Sequence, residues 1–154
     1  EGKDIKKHLN GCNRIILMCA TLSVGVDRLI KTLQVEDMVK ALAADALATA
    51  LTEQVCDEAE NEAQKTLENC HFTWRFSPGY GDLPLSIQGN ILNILDAQRK
   101  IGLCTTENSL LIPTKSVTAV IGVSENEVKK KSRSCGVCNL RNVCRFRKEG
   151  EHCA

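Results

Sequence analysis

Arg75, Ser77, Gly79 and Tyr80 stand within six residues of one another, in the segment Arg75-Phe-Ser-Pro-Gly-Tyr80-Gly-Asp-Leu-Pro84. An arginine offers a rigid fork of donors that matches a carboxylate. Gly79 lets a ligand approach the main chain closely, and an aromatic ring can pack beside it. Together these residues suit a pocket for a small anionic or zwitterionic ligand. Tyr80 is the only tyrosine of a chain with 3% aromatics, and Phe72, Trp74 and Phe76 crowd just before Pro78. A Pro-Gly pair is also, first of all, a turn. Taken singly, Arg75 fits a strand-end surface residue and Tyr80 a core-capping aromatic.

A second group with chemistry lies at the C-terminus. Cys135, Cys138, Cys144 and Cys153 are separated by two, five and eight residues. A Cys-x-x-Cys pair can place two sulfurs on one metal across a tight turn, and four thiolates complete a tetrahedral zinc site or a four-iron cluster. Disulfides or idle surface thiols are the alternative. Arg141, Arg145, Arg147 and Lys148 would offset the negative charge of thiolate ligands. Iron would make this tail a one-electron donor, whereas zinc, with His152 as a further candidate ligand, would hold it folded. The other five cysteines (Cys12, Cys19, Cys56, Cys70 and Cys104) are scattered among apolar or helical sequence and read as reduced core residues. With no secretory signal visible, a cysteine cluster reads as a metal site before it reads as disulfides, and the expected setting is cytoplasmic. His8 and His71 have no partner at catalytic spacing and read as surface or half-buried residues.

The elements that must position these groups come from 154 residues with 43% apolar content, enough for one domain with a real core and a small appendage. A net charge of +1 gives no reason to expect a nucleic-acid surface. The longest apolar run, Ile15-Ile-Leu-Met-Cys-Ala20, is too short to cross a membrane and fits a buried strand. Glu1 is not a methionine, so a longer or trimmed polypeptide is expected, with its N-terminal part missing. Ile5, Leu9 and Cys12 space a short helix, and residues 14–20 read as a strand. Thr21 can cap a helix carrying Val26, Leu29, Ile30 and Leu33. One long helix is expected from about Val35 to Leu67, with Val35, Met38, Val39, Leu42, Ala46, Leu47, Ala50, Leu51 and Val55 recurring at helical spacing and a solvated acidic stretch at 57–62. His71 to Ser77 reads as a strand. Ser86 starts a helix with Ile87, Ile91, Ile94 and Leu95 buried, and Gly102 ends it. Residues 110–112 and 116–123 read as a hairpin, with Val117, Ala119, Ile121 and Val123 on one side.

No Gly-rich phosphate loop follows a strand, and strands and helices do not alternate regularly. The expected class is therefore α+β: a mixed or antiparallel sheet packed with a long helix and shorter ones. The expected organisation is a domain over 1–123, a polar linker over 124–134 and a Cys-rich metal-binding tail over 135–154.

Several segments, in order, resemble the activation domain of cobalamin-dependent methionine synthase in its free-standing form, with the Cys-rich tail as an addition. The family motif Arg-Pro-x-Pro-Gly-Tyr reads Arg75-Phe-Ser-Pro-Gly-Tyr80 here. Ile94 to Gly102, Thr106-Glu-Asn-Ser109 and Pro113-Thr-Lys-Ser-Val117 match the segments that follow it, and Asp37-Met-Val-Lys-Ala-Leu42 opens a long helix as in the family. The resemblance spans about Asp4 to Val123. It implies binding of S-adenosylmethionine and presentation of its methyl group to a corrinoid cobalt. Cobalamin would sit on a partner, a corrinoid-binding methionine synthase or a related corrinoid protein. One-electron reduction of Co(II), drawn forward by methyl transfer, would restore the methylated cofactor. The chain would then be the activation component of a methyltransferase, and its task would be positioning. By carry-over Arg75 holds the S-adenosylmethionine carboxylate, main-chain groups at Ser77 and Gly79 contact the ligand, and Tyr80 packs beside it. Glu53 is the nearest candidate for an acidic residue that the family uses on the long helix. Two other functions fit the residues: an iron–sulfur protein that reduces a corrinoid protein, and a non-catalytic scaffold with a zinc-stabilised tail.

Overall fold

The structure, a computed structural model, describes residues 2–128. The four clustered cysteines and most of the expected linker lie outside the described residues. The chain runs through α1 (Lys3–His8), β1 (Arg14–Thr21), α2 (Ser23–Glu36), α3 (Met38–Thr66), β2 (His71–Phe72), α4 (Ile87–Leu95), α5 (Ala97–Ile101), β3 (Cys104–Thr105), β4 (Leu111–Ile112) and β5 (Ser116–Ser124). β5 is the centre of an antiparallel sheet of order β1-β5-β2, and β3 and β4 form a second, two-stranded sheet. This is the expected α+β class.

Alternation along β5 builds two layers. Val117, Ala119, Ile121 and Val123 join Met18, Ala20 and Phe72 against α3, where Cys56 is fully buried and Ala63 and Leu67 pack alongside. On the other face Thr118 donates to Gln88 Oε1 of α4 at 3.2 Å. Leu92, Ala97 and Leu103 form a separate apolar cluster with Cys19 and Leu111 on that side. The five scattered cysteines are free thiols, as expected. Burial pushes the Cys56 thiol up, keeping it neutral inside the core.

Four expectations are corrected. The break between the two expected helices falls at Asp37 rather than before Val35: α2 stops at Glu36, Asp37 adopts extended backbone, and its carboxylate accepts from Val39 N and Lys40 N to start α3. Asp37 is a good N-cap, and the apolar spacing that runs through it from Val35 to Val39 concealed where the break falls. Second, α3 buries Ala41, Ala48, Thr52 and Cys56, while the large residues expected inside, Val39, Leu42 and Leu47, are exposed. Small residues let the helix lie close on the sheet. Third, β4 pairs with β3, so the strand before Pro113 is not the hairpin partner of β5. Fourth, α4 buries Ile91 and Leu92, whereas Ile94 is 71% exposed. Asp96, in the left-handed region at φ 54°, breaks the helix before α5 and redirects the chain. Gly102, at φ 68°, ends α5 as expected.

The strand expected from His71 to Ser77 is regular only at His71–Phe72. It keeps its place through Thr73 N–H to Gly122 O at 2.9 Å and a two-way bridge between Phe76 and Val120. The short helix α1 holds this segment from the other side. Both Asp82 carboxylate oxygens accept from Asp4 N, at 3.0 and 3.1 Å, capping α1 from the loop. The Asp4 amide, with those of Lys3 and Ile5, holds the Asp82 carboxyl below its usual range. His8 at the far end of α1 packs edge-on to Trp74, ring centroids 4.7 Å apart, and tilted against Phe76 at 4.9 Å. Its Nε2 lies 2.9 Å from Thr73 Oγ1, which also accepts the Gly122 N–H. Gly122 is glycine because the turn after α1 lies on it: a Cβ there would meet Cys12 Sγ at 2.5 Å.

Two expectations follow. Leu92→Ala should cost about 2–5 kcal/mol, while Ile94→Ala two positions on should change stability by less than about 0.5 kcal/mol. Chemical denaturation separates the two. Burial holds the His8 ring below its ordinary value, and the hydrogen bond to the Trp74 backbone only partly opposes this. The folded chain therefore favours neutral His8. Its contribution is complete above 6.5, the unfolded value, and is lost as pH falls from there through the lower folded value. Denaturation midpoints measured on both sides of that value should decline toward acid in the wild type, and His8→Gln should flatten the decline.

Candidate functional site

Glu53, Asp57 and Glu60 recur at steps of four and three on α3, so their side chains share one face. That face meets Arg75. Arg75 Nη2 lies 3.0 Å from Glu53 Oε2, and Nη1 lies 2.6 Å from Asp57 Oδ1 and 3.3 Å from Glu60 Oε2. The Arg75 side chain is only 13% exposed, whereas those of Glu53 and Asp57 are 57% and 64% exposed. Burial pulls against the arginine's charge, but the hydrogen bond and charge of Asp57, with Glu60 behind it, outweigh burial and hold the guanidinium above its ordinary value. Three carboxylates face one guanidinium, so the cluster keeps surplus negative charge. It offers a fork of donors and exposed acceptors side by side, a combination that suits a ligand carrying both a carboxylate and a cationic group.

The Pro-Gly segment folds as a tight double turn. Tyr80 N–H donates to Ser77 O at 3.1 Å, Leu83 N–H to Tyr80 O at 3.0 Å, and Gly79 N–H to Leu83 O at 2.8 Å. Gly79 sits at φ 88°, where a side chain would be strained. Pro78 is buried and anchors the turn. Tyr80 is 64% exposed, with its ring edge-on to Trp74 and to Phe76 at 6.4 Å each. The turn thus projects a tyrosine from a cluster of His8, Trp74 and Phe76, next along the chain from the Arg75 cluster.

Of the residues singled out from sequence, Arg75 and Glu53 come into direct contact. Ser77, Gly79 and Tyr80 shape one turn, with the Ser77 carbonyl and the Gly79 amide already engaged inside it. Cys135, Cys138, Cys144 and Cys153 lie outside the described residues. Among the described residues, no group of three or more His, Cys, Asp or Glu is arranged to hold a metal. No helix among them is long and apolar enough to cross a membrane. Sequence reasoning missed Asp57 and Glu60, which it left in a solvated acidic run. Their spacing from Glu53 was the available signal. It also missed His8 and Asp82, whose partners are distant in sequence and leave no local pattern.

No curated protein matches the chain. The family described as "Vitamin B12 dependent methionine synthase, activation domain" matches residues 5–132, which takes in both helical layers, the sheet and the Arg75–Tyr80 turn. That family serves the reactivation of cobalamin-dependent methionine synthase and is associated with S-adenosylmethionine and the cobalamin enzyme. The chain belongs to the activation-domain family of vitamin B12-dependent methionine synthase.

Proposed function

We propose that the chain binds S-adenosylmethionine at the Arg75 cluster and supports reductive methylation of a Co(II) corrinoid carried by a partner, a cobalamin-dependent methionine synthase or a related corrinoid protein. The observation that carries this reading is the Arg75 clamp inside the family's own motif. Glu53 and Asp57 are largely exposed, so either can return to water on leaving the guanidinium, while an incoming carboxylate keeps Arg75 paired. A ligand carboxylate can therefore take the place of one of them on the guanidinium at little cost. The displaced acid then faces the ligand's ammonium and sulfonium, which the surplus negative charge of the cluster favours.

Gly79 and Ser77 line the approach. Their inward groups serve the turn, so ligand contacts would use the Ser77 amide and the Gly79 carbonyl. Tyr80 would pack beside the ligand. The chain needs no general acid or base for this reaction. An external electron takes the partner's cobalt to its nucleophilic state, a carbon–cobalt bond forms as the sulfonium carbon–sulfur bond breaks, and S-adenosylhomocysteine leaves. The chain's residues contribute position and charge.

The tail enters the proposal from its sequence. Cys135, Cys138, Cys144 and Cys153 would ligate one metal centre, appended through a polar linker to the activation domain. A four-iron cluster would supply the electron on the same chain. Zinc would fold the tail and leave reduction to another donor.

Isothermal titration should show saturable S-adenosylmethionine binding, weakened roughly 10- to 100-fold or more by Arg75→Ala through loss of charge-assisted hydrogen bonds. Arg75→Lys should recover part of it, keeping charge without the fork. Equal affinity in Arg75→Ala and wild type would remove Arg75 from the site. Metal analysis of protein purified without oxygen should give about four irons with four sulfides, or about one zinc. Protein free of both, with unaltered thiols, would leave the tail without a metal role.

A further inference from the structure

The Arg75 cluster holds more negative charge than a zwitterion calls for. One guanidinium faces Glu53, Asp57 and Glu60, a surplus of two negative charges. Among the described residues, no cation other than Arg75 pairs with any of the three; the nearby Lys65 is taken by Glu62 at 2.6 Å. The field of the acids reaches the core. The Cys56 thiol, pushed up first by burial, is pushed further by Glu53, Asp57 and Glu60 against the pull of Arg75.

The three acids are not equivalent. α3 runs opposite to the segment that carries Arg75, because Gln64 Nε2 donates to Cys70 O at 2.7 Å while Arg75, five residues on, reaches back to Glu60, Asp57 and Glu53. Glu60 therefore lies on the Cys70 side and Glu53 on the side of the Pro-Gly turn, with Asp57 between them. Glu60 is the least exposed, at 26%, and stays as the counter-ion of Arg75. Nη2 has only Glu53, whereas Nη1 has both Asp57 and Glu60. Asp57 is thus the carboxylate that can turn from the guanidinium without leaving either nitrogen unpaired.

A zwitterionic amino acid needs the guanidinium for its carboxylate and one acid for its ammonium. Glu53, displaced from Nη2 by the ligand carboxylate, supplies that acid. Asp57 is then left over, and it suits a second positive charge on the same ligand. In S-adenosylmethionine that charge is the sulfonium, a short ethylene arm away from the amino-acid centre. Resting on the binding of S-adenosylmethionine at Arg75 proposed above, we infer that Asp57 is the residue by which the chain tells the charged sulfonium of S-adenosylmethionine from the uncharged thioether of S-adenosylhomocysteine. Methyl transfer breaks the carbon–sulfur bond and leaves its electron pair on sulfur. The product keeps the carboxylate and the ammonium but loses the charge that Asp57 attracts, so it is held less tightly than the substrate.

Isothermal titration of the full chain with S-adenosylmethionine and, separately, with S-adenosylhomocysteine tests this. The wild type should bind S-adenosylmethionine more tightly. Asp57→Asn keeps the shape without the charge and should lower that preference about fivefold or more, the effect of one unit charge about 4 Å away in water. Arg75→Ala should weaken both ligands alike, since both carry the carboxylate. A merely structural role for Asp57 would also weaken both alike, and that result would overturn the inference. So would a wild type without the preference, or a preference that Asp57→Asn leaves unchanged; in either case the Arg75 site would stand. Absence of S-adenosylmethionine binding, or binding that Arg75→Ala does not weaken, would overturn the site itself and this inference with it.

Discussion

One guanidinium held by three carboxylates ties the family motif to the longest helix. Arg75 is nearly buried, so without Glu53, Asp57 and Glu60 its charge would be stranded. To supply them, α3 must run past the strand at a fixed rotation. That rotation puts Ala48, Thr52 and Cys56 on the sheet and leaves the leucines of its first half outside. One rotation of α3 thus serves both the small-residue packing face and the contact with Arg75.

The segment that carries Arg75 is gripped again from the opposite flank. Asp82, just beyond the turn, caps α1, and His8 from the end of α1 packs onto Trp74 and Phe76. The Gly79 turn is closed by its own backbone hydrogen bonds and by the buried ring of Pro78. A segment with little regular strand structure is held in place by a cap, an aromatic cluster and an ion cluster. Such preorganisation is what a chain whose contribution is positioning requires.

Reading the sequence found the parts that local chemistry decides. The strand at 14–20, the alternation of β5, the stop at Gly102 and the Pro-Gly turn each follow from residue type at short range. The helix region at 38–66 was legible as helix from its periodicity, but its rotation was not. Hydrophobicity alone favoured Leu42 and Leu47 for the core, whereas the helix packs through Ala48, Thr52 and Cys56, smaller residues that let it lie close on the sheet. The pairing of β4 with β3 escaped for a related reason: two-residue strands carry too little pattern to choose between neighbours. Glu53 was reached through the family resemblance, while Asp57 and Glu60 lay in plain view at helical spacing. What marks them out is an arginine fifteen or more residues away, and no local rule links the two.

This chain is proposed to support the reductive methylation of a Co(II) corrinoid on another protein, an electron donor reducing the cobalt before it takes the methyl group. The direct measurement is the visible spectrum of a Co(II) methionine synthase mixed with this chain, an electron donor and S-adenosylmethionine. The account predicts that the Co(II) spectrum gives way to that of methylcobalamin at a rate that depends on the concentration of this chain, with S-adenosylhomocysteine formed in equal amount. A Co(II) spectrum that persists unchanged, or that converts at the same rate without this chain, would contradict it.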